Sequence, residues 1–482
     1  MSTATAVPDG RPSARPGPLT RLAPVALAVG AGLLVALASV LGPARQAAVL
    51  LLLALTPPVL LLFLFRPHLS LAAYLLAIPL ILPVPVAGGL NAGEAATLGM
   101  LVLGFLGLWR VRERIGPALR ALAPVLVPLV VLSVVSIVSL LVNGILAFEE
   151  IVSALFKVLT FGLIALLVHV YADTDGHART LLRAMALGAT AVAAYSVLAW
   201  LAGWSYDATY DWNRASGTFE NWNLLGGFMA LMALPTLALA ARSRGIGARI
   251  GWATGFLLQI VALLLSLTLG SMAGVVVGAL FTVVFVARIG WRRLLPAALL
   301  AILAFGFVFA TNPALRDKLA RVDERVEDRL LTYAVGINMF ADRFWWGFGS
   351  EQNLTDELWF GEADYGITGL GTSSMVPHNA FLKIGVEKGF FGAAVFTLLI
   401  VGCFVLVFRQ GRRLRGGPDA LLYYGIVAGA VAFMTQNMTN DLMLHARVGI
   451  VFFALISVLD RLGRAEAGRA GEGTALAAGA DG

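Results

Sequence analysis

Residues 223–241 read NLLGGFMALMALPTLALAA, nineteen positions without a charged side chain. A helix needs about 20 predominantly apolar residues to cross a bilayer core. Such runs recur on both sides of this one along nearly the whole chain. The protein has 482 residues, of which 59% are hydrophobic and only 13% charged, and its mean hydropathy is +0.85. A soluble chain of that length has nowhere to hide so much apolar surface. The runs fall at about 22–42, 46–65, 68–87, 94–110, 122–142, 153–172, 182–203, 223–241, 248–267, 271–288, 293–310, 386–408, 420–438 and 443–460. The expected fold is therefore an all-α polytopic membrane protein of about 12–14 transmembrane helices, built as one continuous membrane domain.

Charge placement gives the orientation. With the N-terminus in the cytoplasm, alternate loops lie inside, and 23 of the 35 Lys and Arg residues fall there. That bias is the one expected of cytoplasmic loops. It predicts an even number of spans with both termini inside. The formal charge of +7 is spread over these loops and tails, which argues against a nucleic-acid partner. The tails, 1–19 and 464–482, are rich in Gly, Ala and Pro and are expected to be disordered. The first apolar run has no obvious cleavage site and reads as a retained span. The lone cysteine, Cys403, permits no intramolecular disulfide. Helices are expected over 20–310 and 386–463.

Two segments facing outward are long: 204–222 and 311–385. Over 311–377 the second holds eleven acids and six bases, so it is net negative. Its stretch 316–329, RDKLARVDERVEDR, alternates charge at helical spacing, as a solvated surface helix does. Only His378 and His445 among the five histidines reach the outer face in this topology. His378 follows Pro377, which suits a helix start and would put the imidazole in the first turn at the loop–membrane boundary. It reads equally as a proton acceptor or as a residue that only orders the loop.

Arg329 and Arg214 lie in the two separate outer loops. Arginine carries a permanent charge and a planar fork of donors matched to phosphate oxygens, so the pair suits a diphosphate clamp. Snorkelling or salt-bridging is the plainer fate of such arginines. Trp204, Tyr206, Tyr210 and Trp212 crowd the first loop, and Phe344, Trp345, Trp346, Trp359 and Phe360 the second. These rings suit sugar faces, although an interfacial aromatic belt accounts for them as well. Asp441, His445 and Arg447 sit near the outer end of the last spans, where they either support the site or pair with one another. There is no HExxH, CxxC or outer DxD pattern and no Walker-type loop. No metal ligands and no cofactor are therefore expected.

Arg214-x-x-Gly217-Thr218-Phe219 with Asn221-Trp222-Asn223-Leu224-Leu225-Gly226 resembles an element of the O-antigen ligase and O-antigen polymerase superfamily. Arg329, followed by Asn338-Met339-Phe340-x-Asp342 and Gly347-Phe348-Gly349, resembles a segment of that family's large outer loop. His378-Asn379-x-x-Leu382, then Glu387-x-Gly389-x-x-Gly392, resembles a third element. The likeness covers about residues 205–400, in the family's order.

The resemblance implies a membrane fold like that of the C-type glycosyltransferases in the bacterial cytoplasmic membrane, with the active site facing outward. It implies metal-free, inverting transfer of a glycan from an undecaprenyl diphosphate carrier to an acceptor sugar. Carried over, Arg214 and Arg329 would hold and stabilise the diphosphate, and His378 would orient or deprotonate the acceptor hydroxyl. Asn379, Asn221, Asn223, Tyr333, Arg447 and His445 are the expected substrate contacts. Many members carry a Ser-Arg pair where this chain reads Leu269-Gly270-Ser271-Met272. Arg447 and Lys157 are the outer-side cations available to replace it. The rival reading is a transporter or flippase, but transporters place ionisable residues mid-span, and here the polar groups gather at the outer ends.

Overall fold

The computed structural model describes residues 65–82, 85–87, 90–203, 214–287, 295–311, 313–320, 322–349 and 378–480. The two spans expected before residue 66 lie outside them, as do the loop aromatics Trp204, Tyr206, Tyr210, Trp212, Trp359 and Phe360.

Among the described residues the elements are helices, apart from one short hairpin. α1 is Pro67–Ala77, extended by a 3-10 turn at Ile78–Leu80. β1 (Pro85–Ala87) pairs antiparallel with β2 (Leu90–Asn91). Then follow α2 (Ala92–Leu108), α3 (Arg112–Val142), α4 (Phe148–Tyr171), α5 (Asp175–Leu201), α6 (Trp222–Arg242), α7 (Ile246–Leu265), α8 (Leu269–Phe281) and α9 (Leu295–Thr311). α10 (Pro313–Ala320) and α11 (Val322–Asp342) occupy the charged segment. α12 (Ala380–Leu414), α13 (Ala420–Asn437) and α14 (Ala446–Ala480) close the fold.

Among the described residues, seven helical runs are long and apolar enough to cross a membrane. The runs expected at 94–110 and 122–142 are joined there into one, because only a 3-10 turn at Trp109–Val111 separates α2 from α3. The segment at 68–87 becomes a shorter helix, since Pro85–Ala87 turns into the hairpin. α14 runs to Ala480, past residue 464, where a disordered tail was expected. Its last turns are rich in alanine, the strongest helix former.

Capping residues set several helix starts. Asn91 and Glu94 form a reciprocal capping box at α2, with both bonds at 3.0 Å. Asn221 accepts from the Leu224 amide at the start of α6, also at 3.0 Å. α6 is the buried centre: residues Phe228 to Ala233 have no exposed surface. Small residues let its neighbours close in. Gly274 and Gly278 of α8 lie against the α13 backbone at Ala432 and Ala428. Gly425 and Gly429 of α13 lie against the α6 carbonyls of Leu234 and Leu231. Both pairs are four residues apart, the spacing that lets helix backbones approach where lipid removes any hydrophobic drive between helices.

The helix ends separate by chemistry. At one end Arg114 meets Asp173 (2.8 Å), and Arg179 and Arg242 both meet Asp419 (2.8 Å each). There too Arg461 donates to the Ala172 carbonyl at 2.7 Å. These are arginines that the charge bias assigned to the inside. The opposite end gathers the turn after α7, α11, the start of α12 and the turn between α13 and α14.

Candidate active site

The turn at residues 438–441 is the hub of that second end. Asn437 shapes it: its side chain donates to the Phe433 carbonyl and accepts from the Met443 amide, both at 2.8 Å. The turn's carbonyls then become anchors. Met438 accepts from the Tyr333 hydroxyl at 2.9 Å and from Asn379 Nδ2 at 3.0 Å. Thr439 accepts from the Arg329 guanidinium. The Tyr333 hydroxyl also lies 3.3 Å from the His378 carbonyl. Arg329, Tyr333, His378 and Asn379 are thus brought together from α11 and the start of α12.

His378 does not occupy the first helical turn, as its proline neighbour suggested. Asn379 is the cap, its Oδ1 accepting from the amides of Phe381 (2.9 Å) and Leu382 (3.1 Å). This leaves His378 one position outside the helix and half-buried. Burial lowers its pKa to about 4; Arg329 and Lys383 push the same way and Asp441 opposes them. The imidazole is neutral near pH 7, the form that accepts a proton.

The two glycine-bearing motifs dock on each other. Gly389 breaks α12 with φ 65° and ψ −162°, conformations closed to other residues. At this kink the Phe348 amide donates to Val386 (2.9 Å) and the Gly349 amide to Glu387 (2.8 Å). Phe390 donates back to Phe344 at 2.6 Å. Phe344 stacks on Phe390 with 5.4 Å between centroids, and Trp346 packs on Phe391 at 4.8 Å. These rings hold α12 and the segment after α11 together.

Arg214 belongs to the adjacent turn. It is 6% exposed, donates to the carbonyls of Ser266 (2.9 Å) and Leu267 (3.3 Å), and stacks over Trp222 at 4.0 Å. Asn223 lies beside it, accepting from Thr268 at 3.4 Å. Gly270 connects the two turns, because any side chain there would collide with Gln436 and Thr439. The place where the family's Ser-Arg pair would fall is therefore packed against the hub.

Arg447 is a clamp rather than a neighbour of His378. It donates to the carbonyls of Ile81 (2.7 Å) and Thr218 (2.8 Å), and it lies 2.6 Å from the Glu220 carboxylate. The Lys157 side chain lies outside the described residues. The structure instead brings another cation to the hub. Lys383 Nζ sits 2.6 Å from Asp441 and 4.0 Å from Glu387. Burial raises the Asp441 pKa, but Lys383 and then His445 outweigh it, so the carboxyl titrates below the usual range. Lys383 escaped the reading of the sequence, although a lysine four residues before Glu387 at the start of an apolar span was the available signal.

A polar cavity of about 570 Å³ adjoins this pair, with Lys383, Asp441, His445 and Arg447 on its wall. His445 lines the same cavity and lies close enough to Asp441 to lower its pKa. No group of three or more metal-ligating side chains occurs among the described residues.

No curated protein matches the chain. Residues 254–397 match the family model described as O-antigen ligase. The match begins within α7 and ends within α12, so it contains Arg329, His378 and Lys383 and leaves out Arg214, which precedes α6. Over that segment this membrane protein is similar to the O-antigen ligase family.

Proposed function

We propose that the protein is a membrane glycosyltransferase. It moves a glycan from an undecaprenyl diphosphate carrier to an acceptor sugar at the outer face of the bacterial cytoplasmic membrane, as a ligase or a polysaccharide polymerase. The observation that supports the reading is the convergence of Arg329, Tyr333 and Asn379 on the carbonyls of residues 438–439, with the His378 carbonyl 3.3 Å from the Tyr333 hydroxyl, at the end opposite the arginine-rich loops. The partners implied are the lipid-linked donor, a glycan or glycolipid acceptor, and the bilayer.

The step is a substitution at the anomeric carbon. The acceptor oxygen forms its bond to that carbon while the bond to the diphosphate oxygen breaks, and the electron pair leaves with the diphosphate. The configuration inverts. The acceptor's proton passes to the neutral His378. A sugar hydroxyl is a far weaker acid than imidazolium, so the proton moves late, and charge stabilisation by Arg329 and Arg214 supplies much of the effect. Arg329 also couples the two halves of the site. Its charge depresses the His378 pKa. A diphosphate seated on Arg329 offsets that charge and makes His378 a better base once donor is bound.

The test is a transfer assay with the purified full chain in detergent and EDTA, supplied with a polyprenyl-diphosphate-linked oligosaccharide and acceptor lipid from the native host. Wild type should release polyprenyl diphosphate. His378→Ala should lose about 10²–10⁴-fold, and Arg329→Ala about 10²–10³-fold. A single addition marks a ligase and a ladder marks a polymerase. Equal donor consumption by wild type and the variants would refute the proposed site, and no consumption beside an active control enzyme would move the reading to a transporter.

A further inference from the structure

The end of the molecule opposite His378 carries more arginine than its acids can pair. There α3 and α12 lie antiparallel and close. A Cβ at Gly402 would strike the Pro124 carbonyl. Arg409 reaches from α12 to the Ala121 carbonyl of α3 at 3.3 Å. Arg120 is next in sequence to that contact, and Arg413 lies one helical turn beyond Arg409, so both belong to the same seam. Arg120, Arg412 and Arg413 are exposed, and none of them has a carboxylate partner among the described residues. Arg413 donates to Gln410 Oε1 at 3.3 Å.

The acids of the neighbouring elements are engaged with other groups. Asp460 of α14 is fully buried and holds Arg409 at 3.1 Å and Arg464 at 2.6 Å. Asp173 holds Arg114 at 2.8 Å and lies 2.5 Å from His177. Glu466 packs at Gly417, in the turn after α12. Over residues 109–120 and 409–415 together, eight arginines stand against one acid, Glu113. The seam therefore keeps a surplus of positive charge.

The surfaces leading to these arginines are apolar. Arg120, Val127 and Val134 recur at intervals of seven residues, which places them on one face of α3, and all three are exposed. On α12 the exposed Val401, Val405 and Phe408 follow one another at helical spacing, and Arg412 continues the stripe. Trp109, just ahead of α3, is 77% exposed, with the Arg112 guanidinium 5.4 Å from its ring centre. An exposed tryptophan beside arginines marks the level of lipid headgroups. Two apolar stripes that both end in arginine fit an amphiphile with an anionic head. Guanidinium donors match phosphate oxygens, and basic clusters at the ends of membrane helices attract anionic lipid.

We infer that the α3–α12 seam binds an anionic phospholipid, its phosphate held by Arg120, Arg412 and Arg413 and its acyl chains lying along the stripes of Val127 and Val405. Such binding involves neither donor nor acceptor glycan, so it is measured without turnover.

The test is thermal unfolding of the purified full chain in a neutral maltoside detergent. A ligand that binds only the folded state raises the unfolding temperature. Phosphatidylglycerol should raise that of wild type, and phosphatidylcholine should not. In Arg120→Gln/Arg413→Gln the phosphatidylglycerol concentration that gives half the rise should increase by roughly 25-fold, about fivefold for each arginine lost. Arg183→Gln/Arg244→Gln removes two other exposed arginines and should leave that concentration unchanged. An equal rise with phosphatidylcholine, an equal rise with inorganic phosphate, or an equal loss in the Arg183/Arg244 variant overturns the assignment. Should Arg120→Gln/Arg413→Gln fail to fold, native mass spectrometry of wild type decides. Phosphatidylglycerol should stay bound in preference to phosphatidylcholine, and equal retention of the two refutes the site.

Discussion

Lys383 and Asp441 form an ion pair 2.6 Å long, with both residues less than a tenth exposed. They come from α12 and from the turn before α14, 58 residues apart, so the pair ties the helix behind His378 to the hub that anchors Arg329. Removing one partner of a buried pair leaves an uncompensated charge, which costs about 3–5 kcal/mol. Asp441→Asn and Lys383→Met should each lower the unfolding temperature in detergent, and the double variant Lys383→Met/Asp441→Leu should recover most of the loss. Additive losses in the double variant would show that the pair is not coupled. The pair is also pH-sensitive. The Asp441 pKa is depressed on folding, so the stability it contributes is present above the ordinary carboxylate value and lost as pH falls through the folded one.

The pH profile of transfer tests the state of His378. Were the imidazole ordinary, activity would fall below about pH 6.5. Held at about 4, it stays neutral through the mildly acidic range. The acid limb of kcat/KM, which reports the free enzyme, should therefore lie well below pH 6. Arg329→Gln removes one of the charges that depress this histidine, so the limb of its residual activity should move upward. Burial is the larger cause, so the limb should stay below the ordinary value. A wild-type limb near pH 6.5 would show that His378 is not the titrating base.

Arg214 is expected to matter to stability as well as to turnover. Leu267 is the only non-glycine residue with positive φ among the described residues, at 52°, and it is fully buried. This left-handed turn brings the Ser266 and Leu267 carbonyls to one guanidinium. Arg214→Ala takes one donor from each carbonyl, at about 0.5–1.5 kcal/mol for each hydrogen bond lost. Arg329→Ala removes a bond to a single carbonyl. Thermal unfolding should therefore separate them, with Arg214→Ala the less stable variant. Arg214→Lys should fall between, because an ammonium keeps the charge and loses the planar stack on Trp222. Equal unfolding temperatures for all three would make the carbonyl contacts incidental.

The sequence carried some of this plainly and hid the rest for physical reasons. Apolar runs mark helices wherever they are long, so the positions of α4 to α8 were readable without any contact. Local capping was within reach too, since Asn379 and Asn221 act within three residues of themselves. What stayed hidden depends on distance along the chain. Arg447 looked available to a substrate, but its carbonyl partner Ile81 is 366 residues away. Lys383 went unread because its partner Asp441 lies 58 residues away. The motif glycines at 347, 349 and 389 were visible as letters, whereas their mutual docking exists only after α11 and α12 pack.

That docking yields the sharpest backbone prediction. The conformation of Gly389 is essentially reserved for glycine, and forcing another residue into it costs about 1–3 kcal/mol. A Cβ at 389 would also run into the Trp345 carbonyl and the Trp346 amide. Across the joint, a Cβ at Gly347 would meet the backbone of Val386 and Glu387. Gly389→Ala and Gly347→Ala should each push the segment carrying Phe344 and Trp346 off the α12 kink. The cluster with Phe390 and Phe391 would then open. Limited proteolysis should cut faster between α11 and α12 in both variants, and transfer should fall although His378, Arg329 and Arg214 are untouched. Gly306→Ala is the control, because a Cβ there meets nothing within 4 Å. If Gly389→Ala were as protease-resistant as that control, the joint would not be what fixes the start of α12.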